Sequence, residues 1–430
     1  MEQIRLITLD PGHFHAALIQ KEMYPGISPD VSVYGPLTPD LVEHLARIAR
    51  FNARAANPTD WRLAVQAAPD YLERMLAARD GNGVVRAGKN RRKIDYIEAA
   101  VGAGLNVLAD KPWIIRSADL PRLERVLEEA GSRGLIAYDI MTERFEITTM
   151  LQRELVSDAE VFGELVPGSA AEPGVCMKSV HNIMKLVAGV PLRRPAWFFD
   201  VLEQGEGLSD VGTHLVDMAQ WTLFPEQPVD YRESVEIHGA KRWPTVMTRA
   251  EFKQVTGEDG FPEYLRHCTA GDQLEYFCNN QVTYSVRGVF VKLDVLWDYQ
   301  APAGAGDSHH AVYRGTRSRV EVRQGPAEKY RPELYVVPNR ADDLPALRAA
   351  VARRVKALAE QYPGVSLEPH GGEVLVTAPD ALRVGHEAHF AQVASQFFRY
   401  VRGEEKLPAW EKPNMLAKYC VSTTGVEICQ

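Results

Sequence analysis

The sequence predicts two fold classes in series. A doubly wound parallel α/β sheet comes first, then an α+β domain with a large, open, mainly antiparallel sheet. Three observations predict this. Short apolar runs alternate with helical patterns through about residue 142, as in parallel sheets with helical crossovers. Beyond residue 144 that alternation stops, and residues 281–299 alternate apolar and polar with a period of two. At 430 residues the chain is long for one core and suits two domains, divided here into 1–142 and 143–430.

In the first part, Ile4–Leu9 reads as a strand, Asp10-Pro11-Gly12 as a turn and Phe14–Met23 as a helix. Val31–Tyr34 is a second strand, and Pro39–Arg50 a helix with Thr38 as N-cap and proline at its first position. Pro69–Ala78 is a helix, Gly83–Ala87 a strand, and Ile94–Ala103 a helix closed by Gly104. Leu105–Ala109 is a strand, Ala118–Ala130 a helix opened by Ser117, and Leu135–Tyr138 a strand.

In the second part, helices are expected at Glu146–Val156, Gly207–Leu223, Ala346–Gln361 and Ala388–Val401, the last strong element. Val282, Tyr284, Val286, Val289, Val291, Leu293, Val295 and Trp297 mark a hairpin turning near Arg287-Gly288. Further strands are expected at Ala311–Arg314, Arg319–Arg323, Leu334–Val337 and Glu373–Thr377.

Composition narrows the function. Hydrophobic residues at 45% and charged residues at 25% are globular values, so neither a disordered nor a fibrous chain is indicated. A net charge of −8 argues against nucleic acid or an anionic membrane as the main partner. Five cysteines, odd in number and without a CxxC pair, suit a reducing compartment rather than a disulfide framework or zinc site. No apolar run is long enough to span a membrane, and no signal segment precedes Ile4. The expected location is the cytoplasm, or the periplasm or outside if a leader has been removed.

Two stretches carry the chemistry. Residues 104–113, GLNVLADKPW, bring a buried strand to Lys111 at the carboxyl edge of the sheet, where ligands of such folds bind. Pro112 then fixes the chain, and a cis Lys-Pro peptide is expected there. Residues 207–217, GLSDVGTHLVD, put Asp210 and His214 one helical turn apart on one face, with Asp217 a turn further on. A carboxylate beside an imidazole orients the ring and stabilises its protonated form, as a general base requires. The bland reading is an amphipathic helix capped by Ser209 or Asp210. The first turn, LDPGHFHAAL, keeps Gly12 of a G-x-G-x-x-G fingerprint but has Asp10 and His15 where the flanking glycines would stand. Tyr34-Gly35-Pro36 replaces the usual ribose-binding acid, and no arginine for a 2′-phosphate stands there.

ADKPW at 109–113 resembles the E-K-P motif of the glucose–fructose oxidoreductase/inositol dehydrogenase (Gfo/Idh/MocA) family. GLSDVGTHLVD resembles its second signature, G-x-x-x-D-x-G-x-H-x-x-D, with Gly207 one place closer to the aspartate. VVRAGKN at 84–90, Gly163-Glu164 and GTRSRVEV at 315–322 extend the resemblance over most of the chain. DPGHFHA, GAGDSHH at 304–310 and GHEAHF at 385–390 resemble a subgroup with its own C-terminal region.

The resemblance implies an N-terminal Rossmann domain, and a substrate site between the domains. It implies an NAD cofactor, with NADP open, and catalytic roles for Lys111, Asp210 and His214. Cofactor contacts fall on Asp10, Gly12, His13, His15, Asn90, Asp110 and Lys111. Asp110 replaces the usual glutamate. Asp210, His214, His181 and His309 are the candidates for substrate, a sugar or cyclitol. His13 and His15 either meet cofactor or substrate or serve the turn. His181, with Lys185, and His309, with His310, either line the sugar site or are exposed. Trp197-Phe198-Phe199 is assigned to the core rather than to a sugar platform. No metal site is expected, because His13 and His15 are two apart and His386 and His389 are three apart, which is not HExxH; His386 and His389 are read as capping the last helix, with a substrate contact as the alternative. A homodimer or homotetramer is implied through the open sheet.

The expected reaction is reversible oxidation of a secondary hydroxyl. Two alternatives stay open: an NAD-dependent glycosidase working by transient oxidation and elimination, and a non-catalytic nucleotide-binding sensor.

Overall fold

The computed structural model describes residues 3–187 and 190–429. They form two compact units. One takes in residues up to Thr142 with Leu202–Gln204 and Gly385–Lys412; the other takes in Glu143–Val201, Gly205–Val384 and the chain from Pro413 on.

The first unit opens with β1 (Leu6–Leu9), α1 (His15–Ile19), β2 (Asp30–Gly35), α2 (Pro39–Ala53), β3 (Arg62–Ala67) and α3 (Tyr71–Ala78). It continues with β4 (Gly83–Arg86), α4 (Lys93–Gly102), β5 (Asn106–Asp110), α5 (Leu120–Ser132) and β6 (Ala137–Ile140). The six strands are parallel in the order β3-β2-β1-β4-β5-β6. This is the Rossmann order, with its switch point between β1 and β4. β1, β4 and β6 are buried along their whole length and β5 along all but its first residue, as strands of a parallel sheet covered on both faces are. α1 is shorter than the helix expected over Phe14–Met23, ending at Gln20, whose buried side chain sits within hydrogen-bond reach of Thr8.

The second unit begins with α6 (Ile147–Val156), β7 (Val175–Met184), β8 (Leu186–Val187), β9 (Val190–Pro191), α7 (Val201–Gln204, shared with the first unit) and α8 (Gly207–Leu223). Then come α9 (Tyr231–Ser234), β10 (Val235–Thr248), α10 (Arg249–Thr256), β11 (Thr269–Ala270), β12 (Gln273–Val286) and β13 (Val289–Gln300). The chain continues through β14 (Ser308–Arg314), β15 (Ser318–Gln324), β16 (Glu333–Pro338), α11 (Leu344–Ala357), β17 (Ser366–His370) and β18 (Glu373–Thr377). It closes with α12 (His386–Val401) and α13 (Glu411–Glu427). The large sheet runs β10-β12-β13-β7-β14-β15-β16-β18-β17, with β11 on β12. All neighbours are antiparallel except β13 and β7. Arg287 (φ 49°) and Gly288 (φ 78°) turn β12 into β13, both left-handed as a tight two-residue hairpin requires.

α8 lies on β12, β13 and β7. Its first residue is glycine for a reason: a Cβ on Gly207 would stand 2.0 Å from the Cys278 carbonyl oxygen. Trp197, Phe198 and Phe199 are buried, as the core assignment expected.

Residues 385–412 were placed in the second domain by the sequence reading, yet they pack with the first unit. The reason is the apolar stripe of α12, which lies on α1, β5 and β6. Phe398 meets Tyr24 with ring centroids 5.1 Å apart, and Tyr400 meets Tyr138 at 5.5 Å. Nor is α12 the last strong element, since α13 follows it. Among the described residues no helix is long and apolar enough to cross a membrane.

Candidate functional site

In the first unit the predicted residues gather at the carboxyl ends of β1, β4 and β5. Asp10 follows β1 in a left-handed conformation (φ 44°), so it fills a glycine's backbone role without being one. The buried Arg86 holds it there, donating from Nη2 to Asp10 Oδ2 at 3.1 Å and from Nη1 to the Asp10 carbonyl. The amides of Gly12 and His13 both donate to the Ala87 carbonyl, at 2.9 and 3.2 Å. A Cβ on Gly12 would lie 3.2 Å from Gly88 Cα. The two turns therefore meet backbone to backbone, the arrangement that lets a pyrophosphate approach. Asp40 brings a carboxylate to this turn, 3.8 Å from the same Cβ position.

Lys111 follows β5, and its peptide bond to Pro112 is cis, as expected. Asp110 is buried, and the fully buried Lys93 donates to its Oδ1 and, at 2.9 Å, to its carbonyl. Burial lowers the Lys93 ammonium to about 8, an effect that Asp110 offsets only in part. Asp110 Oδ2 faces His15 Nδ1 at 3.2 Å and His13 Nδ1 at 3.7 Å. His13, His15 and Asp110 thus bring three metal-ligating atoms within 4.8 Å of one another. The expectation of no metal site rested on helical spacing. That rule does not apply here: His13 precedes the helix, and the third donor comes from another strand. Asn90 donates from Nδ2 to the Gln204 carbonyl at 2.7 Å, which commits this amide within the unit.

In the second unit Asp210 and His214 stand one turn apart on α8, half-buried where most of the helix is fully buried. Neither Ser209 nor Asp210 caps the helix; Glu206 holds the N-cap position, and its carbonyl accepts from the Asp210 amide at 2.9 Å. Asp217 is wholly buried. Arg144 grips it with two bonds of 2.6 and 2.7 Å, and Lys418 adds a third at 3.1 Å.

His181 and His309 do come together. Ser179 and His309 are cross-strand partners, as are His181 and Trp297, so all four project from one face of the sheet. Asp307 Oδ2 lies 3.2 Å from His181 Nδ1, His181 Nε2 lies 3.2 Å from Ser179 Oγ, and Ser179 Oγ lies 3.3 Å from His309 Nδ1. Burial, with His181 and His310 nearby, pushes the His309 imidazole down to about 4. Lys185 is also bonded to Asp307. Arg194 covers Phe198 and Trp297, and burial disfavours its charge, offset in part by Tyr276, Asp210 and Asp307. His310 points to the other face, toward Glu321 at 3.6 Å. His386 stands at the start of α12 with Nε2 3.4 Å from Thr142 Oγ1, and Gly385 is the N-cap, so His386 is not a side-chain cap. His389 is buried within that helix and does not cap it either.

Sequence reasoning missed Arg86, Lys93, Arg194 and Asp307. Arg86 stands near the end of an expected strand and Lys93 closes the basic run KNRRK, so neither announces a buried partner. Asp307 had a signal, the Gly-rich loop before His309.

A Rossmann unit followed by a large open sheet, with a lysine after β5 and an aspartate–histidine pair on α8, defines a class of oxidoreductases. Residues 151–430 match the family described as "Putative oxidoreductase C terminal domain". A putative oxidoreductase from Parabacteroides merdae ATCC 43184 is 46% identical with a TM-score of 0.96, over 99% of this chain and 97% of that one. The chain belongs to the Gfo/Idh/MocA oxidoreductases. GenD2 from gentamicin A biosynthesis, crystallised with NAD, shares the fold at TM-score 0.57 and 16% identity, covering 98% and 93% of the two chains. KijD10, a 3-ketoreductase from Actinomadura kijaniata crystallised with NADP, does so at 0.55 and 15%, covering 97% and 95%. No curated protein matches the sequence.

Proposed function

We propose that the chain is a nicotinamide-dependent oxidoreductase acting on a secondary hydroxyl of a sugar, sugar acid, cyclitol or glycoside. The observation that carries this reading is the Asp210–His214 pair, a half-buried polar step on a mostly buried α8. The wall of Ser179, His181 and His309 supports it, offering hydrogen-bonding groups suited to a polyol. GenD2 and KijD10, similar in fold, were crystallised with NAD and NADP.

The turn at Asp10–Gly12 and Lys111 would hold the dinucleotide, which when bound supplies a hydride acceptor. NAD is the expected form, because Asp40 places a carboxylate beside Gly12 and β2 ends without an arginine. His214 takes the proton of the hydroxyl under oxidation at a ring nitrogen. Asp210 orients that ring or the substrate. Lys111 donates a hydrogen bond to the reacting oxygen as negative charge develops there.

The test is a sugar and glycoside panel with added NAD or NADP, following reduced nicotinamide and released sugar, together with nucleotide analysis of the denatured protein. Reduced cofactor accumulating in wild type, and falling by roughly 10²–10⁴ in Lys111→Ala and His214→Ala, is the expected result. Bound NAD with glycoside cleavage and no accumulation would replace this reading with the transient-oxidation glycosidase. A chain that binds nucleotide but turns over nothing would be a sensor, and one that binds no nucleotide would sink the cofactor reading altogether.

A further inference from the structure

The side chains of His13, His15 and Asp110 are arranged as ligands. Three donors of a tetrahedral ion with bonds of ~2.0–2.1 Å lie about 3.4 Å apart. His15 Nδ1 and His13 Nδ1 lie 3.2 and 3.7 Å from Asp110 Oδ2, bracketing that value. All three atoms fall within 4.8 Å of one another. The imidazoles stand edge to face, centroids 3.9 Å apart at 87°, so they do not stack closed over the space they share.

The support behind these groups is also that of a ligand set. Asp110 is 4% exposed, and its other oxygen is held by Lys93, which is 0% exposed. Carboxylate ligands are commonly fixed this way by a partner behind them. His15 is wedged against Phe390 at a centroid distance of 4.7 Å. Lys111, Lys93 and His386 bring positive charge close to it. Those cations weaken the hold on any ion, which counts against hard, oxygen-seeking magnesium or calcium. Two imidazoles and one carboxylate suit a first-row transition ion.

We propose that His13, His15 and Asp110 form a two-histidine, one-carboxylate site for a single divalent transition ion of the zinc class, with further coordination positions left to water. With the ion bound, His15 coordinates through Nδ1 and carries its single ring proton on Nε2. The site goes beyond the oxidoreductase reading and stands without it, so it is tested with no nucleotide or substrate present.

The full-length protein is stripped with a chelator, dialysed and titrated with Co²⁺, following visible absorption and metal content. The expected result is one Co²⁺ per chain, displaced by one equivalent of Zn²⁺. His13→Ala and His15→Ala should each weaken binding at least tenfold, while the exposed His370→Ala leaves it unchanged. Far-UV circular dichroism establishes that the variants fold. Asp110→Asn, which keeps the size of the side chain, supplies the same comparison if an alanine variant does not. Lack of stoichiometric Co²⁺ binding in wild type at millimolar metal would overturn the proposal. So would a folded His13→Ala/His15→Ala protein that binds as tightly as wild type.

Discussion

Asp217 belongs to the same signature as Asp210 and His214, yet its work is structural. Burial opposes its charge, but Arg144 and Lys418 outweigh that and hold the carboxyl far below the usual range. A depressed folded-state pKa contributes stability above about pH 4, and that contribution is lost as pH falls further. Asp217→Asn removes the buried carboxylate that Arg144 and Lys418 share and should cost about 3–5 kcal/mol, read from the urea midpoint at pH 7. Its deficit relative to wild type should shrink in acid. An i,i+3 step from His214 was legible in the sequence; which of the carboxylates would be buried was not, because Arg144 and Lys418 lie 73 and 201 residues away. Lys93 and Arg86 were hidden for a similar reason: a basic residue reads as surface until its buried partner is known.

At the scale of elements, α8 carries the pair and Gly207 sets where it sits. Gly207→Ala forces a Cβ against the Cys278 carbonyl and should push the helix off β12. The expected cost is about 1–3 kcal/mol in denaturant, with turnover falling more than the midpoint because Asp210 and His214 move with the helix. α12 is the counterpart in the first unit. Phe397 is wholly buried, and Phe397→Ala should cost about 3–5 kcal/mol.

Elements with one clean periodicity were readable, α8 to its exact residues. β10 was not, being an edge strand with Gly239 and Pro244, two register shifts and little burial on either face. β3 and β17 are exposed edges too. α13 escaped because polar Asn414, Lys418, Ser422 and Thr423 are buried in it, leaving no apolar stripe.

For the whole molecule, imidazoles held down by desolvation predict an acid response that begins above the usual carboxylate range. Burial brings His44, His389 and His309 each to about 4, with Arg47 adding to the first and His181 and His310 to the last. Between the usual 6.5 and about 4 the unfolded chain binds more protons than the folded one, so stability falls as pH falls. The melting temperature should drop steadily from pH 6.5 to 4.5. His44 and His389 lie in one unit and His309 in the other, so both units should take part.

The two fold classes were readable because parallel and antiparallel sheets impose different periods. The return of residues 385–412 to the first unit was not, since no local pattern says which distant surface a helix will cover. That return has a consequence for synthesis. The faces of α1, β5 and β6 that α12 covers emerge from the ribosome early, and their cover emerges after most of the second unit has been made. At ~5–20 residues per second the gap is on the order of tens of seconds. Through that interval the nascent Rossmann unit carries a bare apolar flank, and a chaperone that binds such surfaces would find its target there.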